Sequence, residues 1–162
     1  MEKVTVKCKT AVYGNVRAEL LWANEPMSFW GTVDPQSGLI RDNRHALYMK
    51  NMAGKVLAFT TPKGSSGTGL IILEQIRTGC APAAIINLRS DPVVLTGPII
   101  AKRFYNVDIP VVNLSEEDYA KVSVKEHGEI LEAIKAHDGD AAEAAMKEHI
   151  MRSRDDMLTY YN

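Results

Sequence analysis

Residues 63–69 read Lys63-Gly64-Ser65-Ser66-Gly67-Thr68-Gly69, bringing a cation, three hydroxyls and three glycines into seven positions. Before them the short apolar run Val56-Leu57-Ala58-Phe59 predicts a buried strand, and after them Leu70 to Thr78 has the composition of a buried helix. A loop in that place lies at a helix N-terminus, where unpaired backbone N–H groups and the positive end of the helix dipole stabilise an anion. The anion is either a bound carboxylate or phosphate, or a serine that has lost its proton. Two familiar loops do not fit. A Walker loop needs Lys after the last glycine, and Lys63 precedes the first; a nucleophile elbow needs Gly-x-Ser-x-Gly, and Thr68 stands where the second glycine belongs. The structural alternative is a helix start capped by Ser65 or Ser66, with the glycines easing the turn.

The flanks of the loop carry further pattern. Upstream come Pro26-Met27-Ser28-Phe29-Trp30-Gly31-Thr32-Val33-Asp34-Pro35-Gln36-Ser37-Gly38 and Ile40-Arg41-Asp42-Asn43-Arg44-His45; downstream comes Gly79-Cys80-Ala81-Pro82-Ala83-Ala84-Ile85-Ile86. Taken in order, from about Val16 to Val112, these resemble the swivel domain of the aconitase X family. The resemblance implies an α/β fold, the three-layer β/β/α swivelling domain of the aconitase C-terminal type. It also implies a hydro-lyase, or one part of one. Members dehydrate small hydroxy acids such as 5-phosphomevalonate or cis-3-hydroxyproline, and many are split into a large subunit bearing an iron–sulfur cluster and a small swivel subunit that supplies a serine base. By motif position that serine is Ser65, with Lys63, Gly64, Ser66, Ser28, Arg44 and His45 as the expected substrate contacts. The segment Arg41, Arg44 and His45 suits either an acidic substrate or the large subunit, and the reading leans toward the interface. Two departures stand out: Thr32 replaces the second glycine of Trp-Gly-Gly, and Gly67-Thr68-Gly69 displaces the second hydroxyl of the family's loop.

The chemistry suits the position. A serine hydroxyl is too weak an acid to act as a base at neutral pH unless N–H donors and positive charge favour the alkoxide. The cysteine count suits a divided enzyme: only Cys8 and Cys80 are present, without a close pair, whereas a cluster draws on three or four thiolates. Both are expected to be buried small apolar residues, Cys8 because it falls in the alternating run Val4 to Cys8. With no disulfide framework, a reducing cytoplasm is the expected compartment. Asp34, with Ser37-Gly38 after it, reads as a turn cap, and Ser28, Phe29 and Trp30 as residues that set this turn against the loop, the aromatics in the core.

The 162 residues are 46% hydrophobic, enough for one sound core, and no run is long enough for a membrane span or a signal peptide. Strands are expected at Thr5 to Lys9, Val16 to Trp22, Lys55 to Phe59, Ala83 to Leu88 and Ile109 to Val112. A swivel domain over 1–114 is followed by a tail, 115–162, that reads as a helical hairpin: Glu116 to Ala136, then Asp140 to about Tyr160. Residues 1–114 carry 13 Lys and Arg against 8 Asp and Glu, and the tail 6 against 12. Near-neutral total charge and an acidic helical region argue against nucleic acid.

The tail, through Glu126-His127-Gly128-Glu129-Ile130-Leu131 and Ala145-Met146-Lys147-Glu148-His149-Ile150, resembles the closing helices of the ligand-sensing domain of GntR-type regulators of the FadR subgroup. His127 and His149 occupy the places of two metal-binding histidines, but a pair of imidazoles alone is a poor metal site. The tail is therefore expected to serve packing or self-association, with four imidazoles available only in a dimer. Two functions stay open: the small subunit of a dehydratase, or a non-catalytic module that binds a small ligand or a protein through the swivel domain and the tail.

Overall fold

The computed structural model describes residues 5–123, 136–141, 143–144 and 147, and two compact units divide the chain after Tyr119. In the first unit a five-stranded sheet has the order β1-β5-β4-β3-β2, with β1 Lys9–Val12, β2 Leu20–Trp22, β3 Val56–Ala58, β4 Ala84–Asn87 and β5 Val111–Asn113. The strands β2 to β5 are parallel, while β1 joins β5 antiparallel with a bulge between Thr10 and Val12. The α/β fold expected from the sequence is thus present. Helix α1, Thr68–Thr78, connects β3 to β4, and α2, Pro92–Ile100, runs from β4 toward β5 through a π-helical turn at Ala101–Tyr105. Both crossovers join parallel neighbours, so the loops after β3 and β4 leave the sheet at its carboxyl edge.

The sequence places the strands well but not their limits. The first strand begins where the expected one ends, and Cys8 precedes it and is exposed, which corrects its reading as a buried residue. At an outer strand only Val12 turns into the core, so the apolar alternation ahead of it has nothing to pack on. Helix α2 is an addition. Asp91 caps it by accepting the Val94 N–H at 2.9 Å, and Pro92 opens its first turn with φ already helical. It packs closely on α1: a Cβ on Gly97 would lie 2.8 Å from the Ile72 Cβ, so only glycine admits that approach.

The core fills the space around β3 and β4 with Phe29, Phe59, Met27, Ile40, Met52, Leu57, Ile72 and Ile85, all fully buried. Phe29 and Phe59 meet edge to face with centroids 5.9 Å apart. The long connection from β2 to β3 is pinned by isolated bridges between Met27 and Pro62, Val33 and Ile40, and Leu39 and Asn51. Trp30 departs from the expectation: Phe29 is in the core, but Trp30 is 55% exposed, because its ring lies on Gly67 at the helix start and only that side of it is covered.

Helix α3, Glu116–Ser123, starts where the first tail helix was expected, with Ser115 Oγ accepting the Asp118 N–H at 3.1 Å. Tyr119 reaches the sheet, its hydroxyl donating to the Ala23 carbonyl at 2.7 Å; burial raises its pKa above the usual phenol value. In the second unit the Ala141 N–H donates to Asp138 at a helical start, and Lys147 pairs with Glu143. His127, His149 and most of the expected hairpin lie outside the described residues.

Candidate functional site

The loop after β3 is built around a turn that only glycine opens. Gly64 has φ 101°, and a Cβ there would stand 3.0 Å from Ser28 Oγ. This turn brings Ser65 to the start of α1 with its side chain exposed. Ser65 does not cap the helix in the ordinary way: Gly67 is the N-cap residue, and no side chain accepts from the first turn. Instead Ser65 Oγ accepts the Gly67 N–H at 3.1 Å, a two-residue hydroxyl turn. The Ser65 carbonyl is held in turn by the Thr68 hydroxyl at 3.0 Å and the Thr68 N–H at 3.2 Å. An N–H aimed at Oγ favours the alkoxide over the alcohol, and so does the positive end of α1, whose first turn holds no acidic residue.

The departure at Thr68 now has a physical account. Its side chain is buried and spent on the Ser65 carbonyl, so the third hydroxyl of the loop helps fix the position of the first. Thr32 acts similarly on the facing turn, donating to the Ser28 carbonyl at 2.5 Å. The two turns lie together. Lys63 N–H donates to the Met27 carbonyl at 2.9 Å, Ser28 stands against Gly64, and a Cβ on Gly67 would fall 2.3 Å from Trp30 Cε3.

Of the expected contacts, Lys63, Gly64, Ser66 and Ser28 therefore share one neighbourhood with Ser65. Arg44 and His45 occupy a second position. Arg44 is exposed and 3.8 Å from Asp42, and Arg41 is engaged at 2.6 Å with Asp34. Asp34 itself caps the turn as read from sequence, accepting from the Gln36 N–H and the Ser37 hydroxyl; these bonds and Arg41 hold its pKa below the usual value.

His45 is not a surface residue. Its side chain is 3% exposed, Nδ1 accepts the Leu47 N–H at 3.1 Å, and Nε2 is buried without a partner among the described residues. Burial pushes the imidazole pKa down, against Glu25 and Asp42, which raise it; Lys63 adds to the lowering. With Nδ1 accepting, the neutral ring carries its proton on Nε2.

Two features escaped the sequence reading. Glu25 ties the second position together, its Oε1 accepting the Ala46 N–H at 2.6 Å and lying 3.9 Å from His45 Nδ1. At the carboxyl ends of β4 and β5, Asn113 donates to Ser90 and Ser90 to Asn87, each at 2.8 Å. The signal was present: an asparagine closes each of two otherwise apolar strands.

The two cysteines do not form a ligand set. Cys8 is exposed ahead of β1, and Cys80 is buried with its thiol donating to the Pro35 carbonyl at 3.3 Å. Among the described residues no group of three or more His, Cys, Asp or Glu is placed to hold a metal ion. No helix among them is long and apolar enough to cross a membrane.

The arrangement is an α/β domain that presents a serine hydroxyl on a glycine-built loop at a helix start, and the comparisons give it a family. The sequence pattern of the aconitase X swivel domain matches residues 5–137, and the chain belongs to that family. The phosphomevalonate dehydratase small subunit of Methanosarcina acetivorans is 36% identical over 117 residues, covering 72% of this chain and 77% of the relative. A cis-3-hydroxy-L-proline dehydratase of Pseudomonas aeruginosa is 36% identical over 108 residues, covering 67% of this chain but only 19% of that longer protein. The crystal structure of Thermococcus kodakaraensis aconitase X in its holo-form superposes with a TM-score of 0.61 at 32% identity, over 67% of this chain and 78% of that one. The chain is therefore a dehydratase subunit of the small, swivel-domain kind.

Proposed function

We propose that this chain supplies Ser65 as the catalytic base to an active site completed by a large subunit, and that the pair dehydrates a small hydroxy acid such as 5-phosphomevalonate or cis-3-hydroxyproline. The observation that carries the reading is the Ser65 hydroxyl, exposed at the start of α1 while its oxygen accepts the Gly67 N–H. In the reaction the Ser65 oxygen takes a proton from the carbon next to the one bearing the hydroxyl. The C–H electron pair becomes the second bond of the alkene, and the hydroxyl leaves as water after gaining a proton. Lys63, Ser28 and Ser66 border the approach to Ser65 and suit the carboxylate or phosphate of such a substrate. Arg44 is assigned to the far end of the same substrate or to the subunit boundary, and the buried His45 to holding the turn that carries it.

In this reading the iron–sulfur cluster belongs to the large subunit, because Cys8 and Cys80 do not fit as its ligands. We assign the protein to the cytoplasm on its free thiols, and the 115–162 tail to packing or self-association outside the 1–114 swivel domain.

The test is dehydration of both substrates by this chain co-purified anaerobically with its large subunit, wild type against Ser65→Ala. Turnover that needs both chains and falls about 10²- to 10⁴-fold in the variant supports the reading. Full activity of Ser65→Ala would remove Ser65 as base. A chain that finds no large subunit and turns over neither substrate would leave the binding-module alternative.

A further inference from the structure

The turn facing the Ser65 loop presents one residue whose placement the catalytic reading does not use. Trp30 follows the fully buried Phe29, and the turn that carries it is held by the Val33 N–H donating to the Phe29 carbonyl at 3.1 Å and by the Thr32 hydroxyl on Ser28. On one side its six-membered ring covers Gly67, whose missing Cβ would sit 2.3 Å from Cε3 and 2.9 Å from Cδ2 and Cζ3. Gly67 is the residue whose N–H holds Ser65 Oγ. On the other side the indole is open, 55% exposed, and Leu70, in the first turn of α1, is 65% exposed. An indole on Gly67 and a leucine in the next turn are thus left in water on the segment that carries the Ser65 hydroxyl.

We propose that Trp30 is the docking anchor for the large subunit and, through Gly67, the residue that positions Ser65 when that subunit arrives. The inference rests on the small-subunit reading above. The occupant follows from the relatives. One is named as a small subunit, and in the Pseudomonas aeruginosa dehydratase the matching region is 19% of one longer chain, so about four fifths of that enzyme lies outside it.

Tryptophan anchors of this kind, half covered by their own chain and half by the partner, dominate binding energy at interfaces. Covering Trp30 and Leu70 also expels water from the neighbourhood of Ser65, which raises the effect of the Gly67 N–H on its oxygen. Docking and base activation thus share one side chain.

The chain has two tryptophans, so in a Trp22→Phe background labelled with 7-azatryptophan, excited to the red of ordinary tryptophan, the emission belongs to position 30 even beside an unlabelled large subunit. Adding the large subunit should shift that emission to the blue and protect it from acrylamide. Trp30→Ala should raise the dissociation constant of the pair about 30-fold or more. It should also lower kcat of the saturated complex while KM changes little, and Trp30→Phe should recover most of both. Phe104→Ser, a change at a 76% exposed ring near the opposite edge of the sheet, should alter neither.

Emission unchanged on adding the large subunit, or wild-type affinity in Trp30→Ala, would overturn the proposal, as would failure of the two chains to associate. The outcomes separate from those of the catalytic reading. If Ser65→Ala keeps turnover while Trp30 becomes buried, the base assignment falls and the anchor stands. If Ser65→Ala is inactive and Trp30 stays exposed, the reverse holds.

Discussion

Substituting Gly64 by Ala tests whether the backbone of the loop, and not only its hydroxyl, makes the site. At φ 101° a β-carbon clashes with its own backbone, a strain of about 1–3 kcal/mol, and the new methyl would also stand 3.0 Å from Ser28 Oγ. Gly54→Ala provides the comparison: its φ is 68°, nothing lies within 4 Å of a Cβ there, and the expected strain is about 1–2 kcal/mol. For a unit of this size each kcal/mol lowers Tm by roughly 3–6 °C, so both variants should melt several degrees early.

Turnover should separate them. Relaxing the strain at Gly64 rotates the peptide that leads into Ser65 and loosens the Gly67 N–H bond, and a displacement near 1 Å costs about 10²-fold in rate. Gly54 lies at the turn before β3, away from the loop, so Gly54→Ala should keep its rate. The assay is dehydration by the saturated two-subunit complex, with melting followed by circular dichroism. Gly64→Ala turning over within about threefold of wild type, while melting as predicted, would refute the idea that the left-handed turn sets the Ser65 geometry.

Phe59→Ala removes a buried ring from the aromatic pair with Phe29 and should cost about 3–5 kcal/mol, read as a shift in the urea midpoint. Because burial depresses the His45 pKa, its contribution to stability is complete above the ordinary histidine value of about 6.5. That contribution is lost as pH falls through the folded value. His45→Asn, which can still accept the Leu47 N–H, should therefore flatten the decline in Tm between about pH 7 and 5, and an unchanged slope would exclude His45 as its source. Native protein should show one fast-reacting thiol, Cys8, and yield Cys80 only on unfolding; alkylation followed by peptide mapping decides between them.

Much of this site was legible because its elements carry strong local signals. The apolar run at Val56 and the glycines after it define a strand and a turn wherever the rest of the chain goes, and α1 starts within two residues of its expected place. Helix α2 was not legible from propensity, since Val93, Val94, Gly97 and Pro98 all disfavour a helix interior. Its signal was the Asp91-Pro92 start, and its stability comes from packing on α1, which no local reading supplies. Ser65 was legible as a residue, but its hydrogen bond from Gly67 was not, because that depends on a turn set by Gly64 and braced by Trp30. Cys8 was misplaced from its alternating run and Trp30 from its aromatic character: each shows that a residue is apolar, but whether a neighbour covers it is settled by parts of the chain far away.

The order of the strands has a consequence for how the protein is made. Among the described residues β1 pairs in the sheet with β5 alone, Lys9 opposite Asn113, so it leaves the ribosome without a strand partner until more than a hundred residues have followed it. At synthesis rates of roughly 5–20 residues per second that wait lasts on the order of 5–20 s. The consecutive units β2-β3-α1-β4-α2 can assemble during this interval with the Ser65 loop already formed. The last join, β1 on β5, then closes an edge that would otherwise stay open to a neighbouring nascent chain.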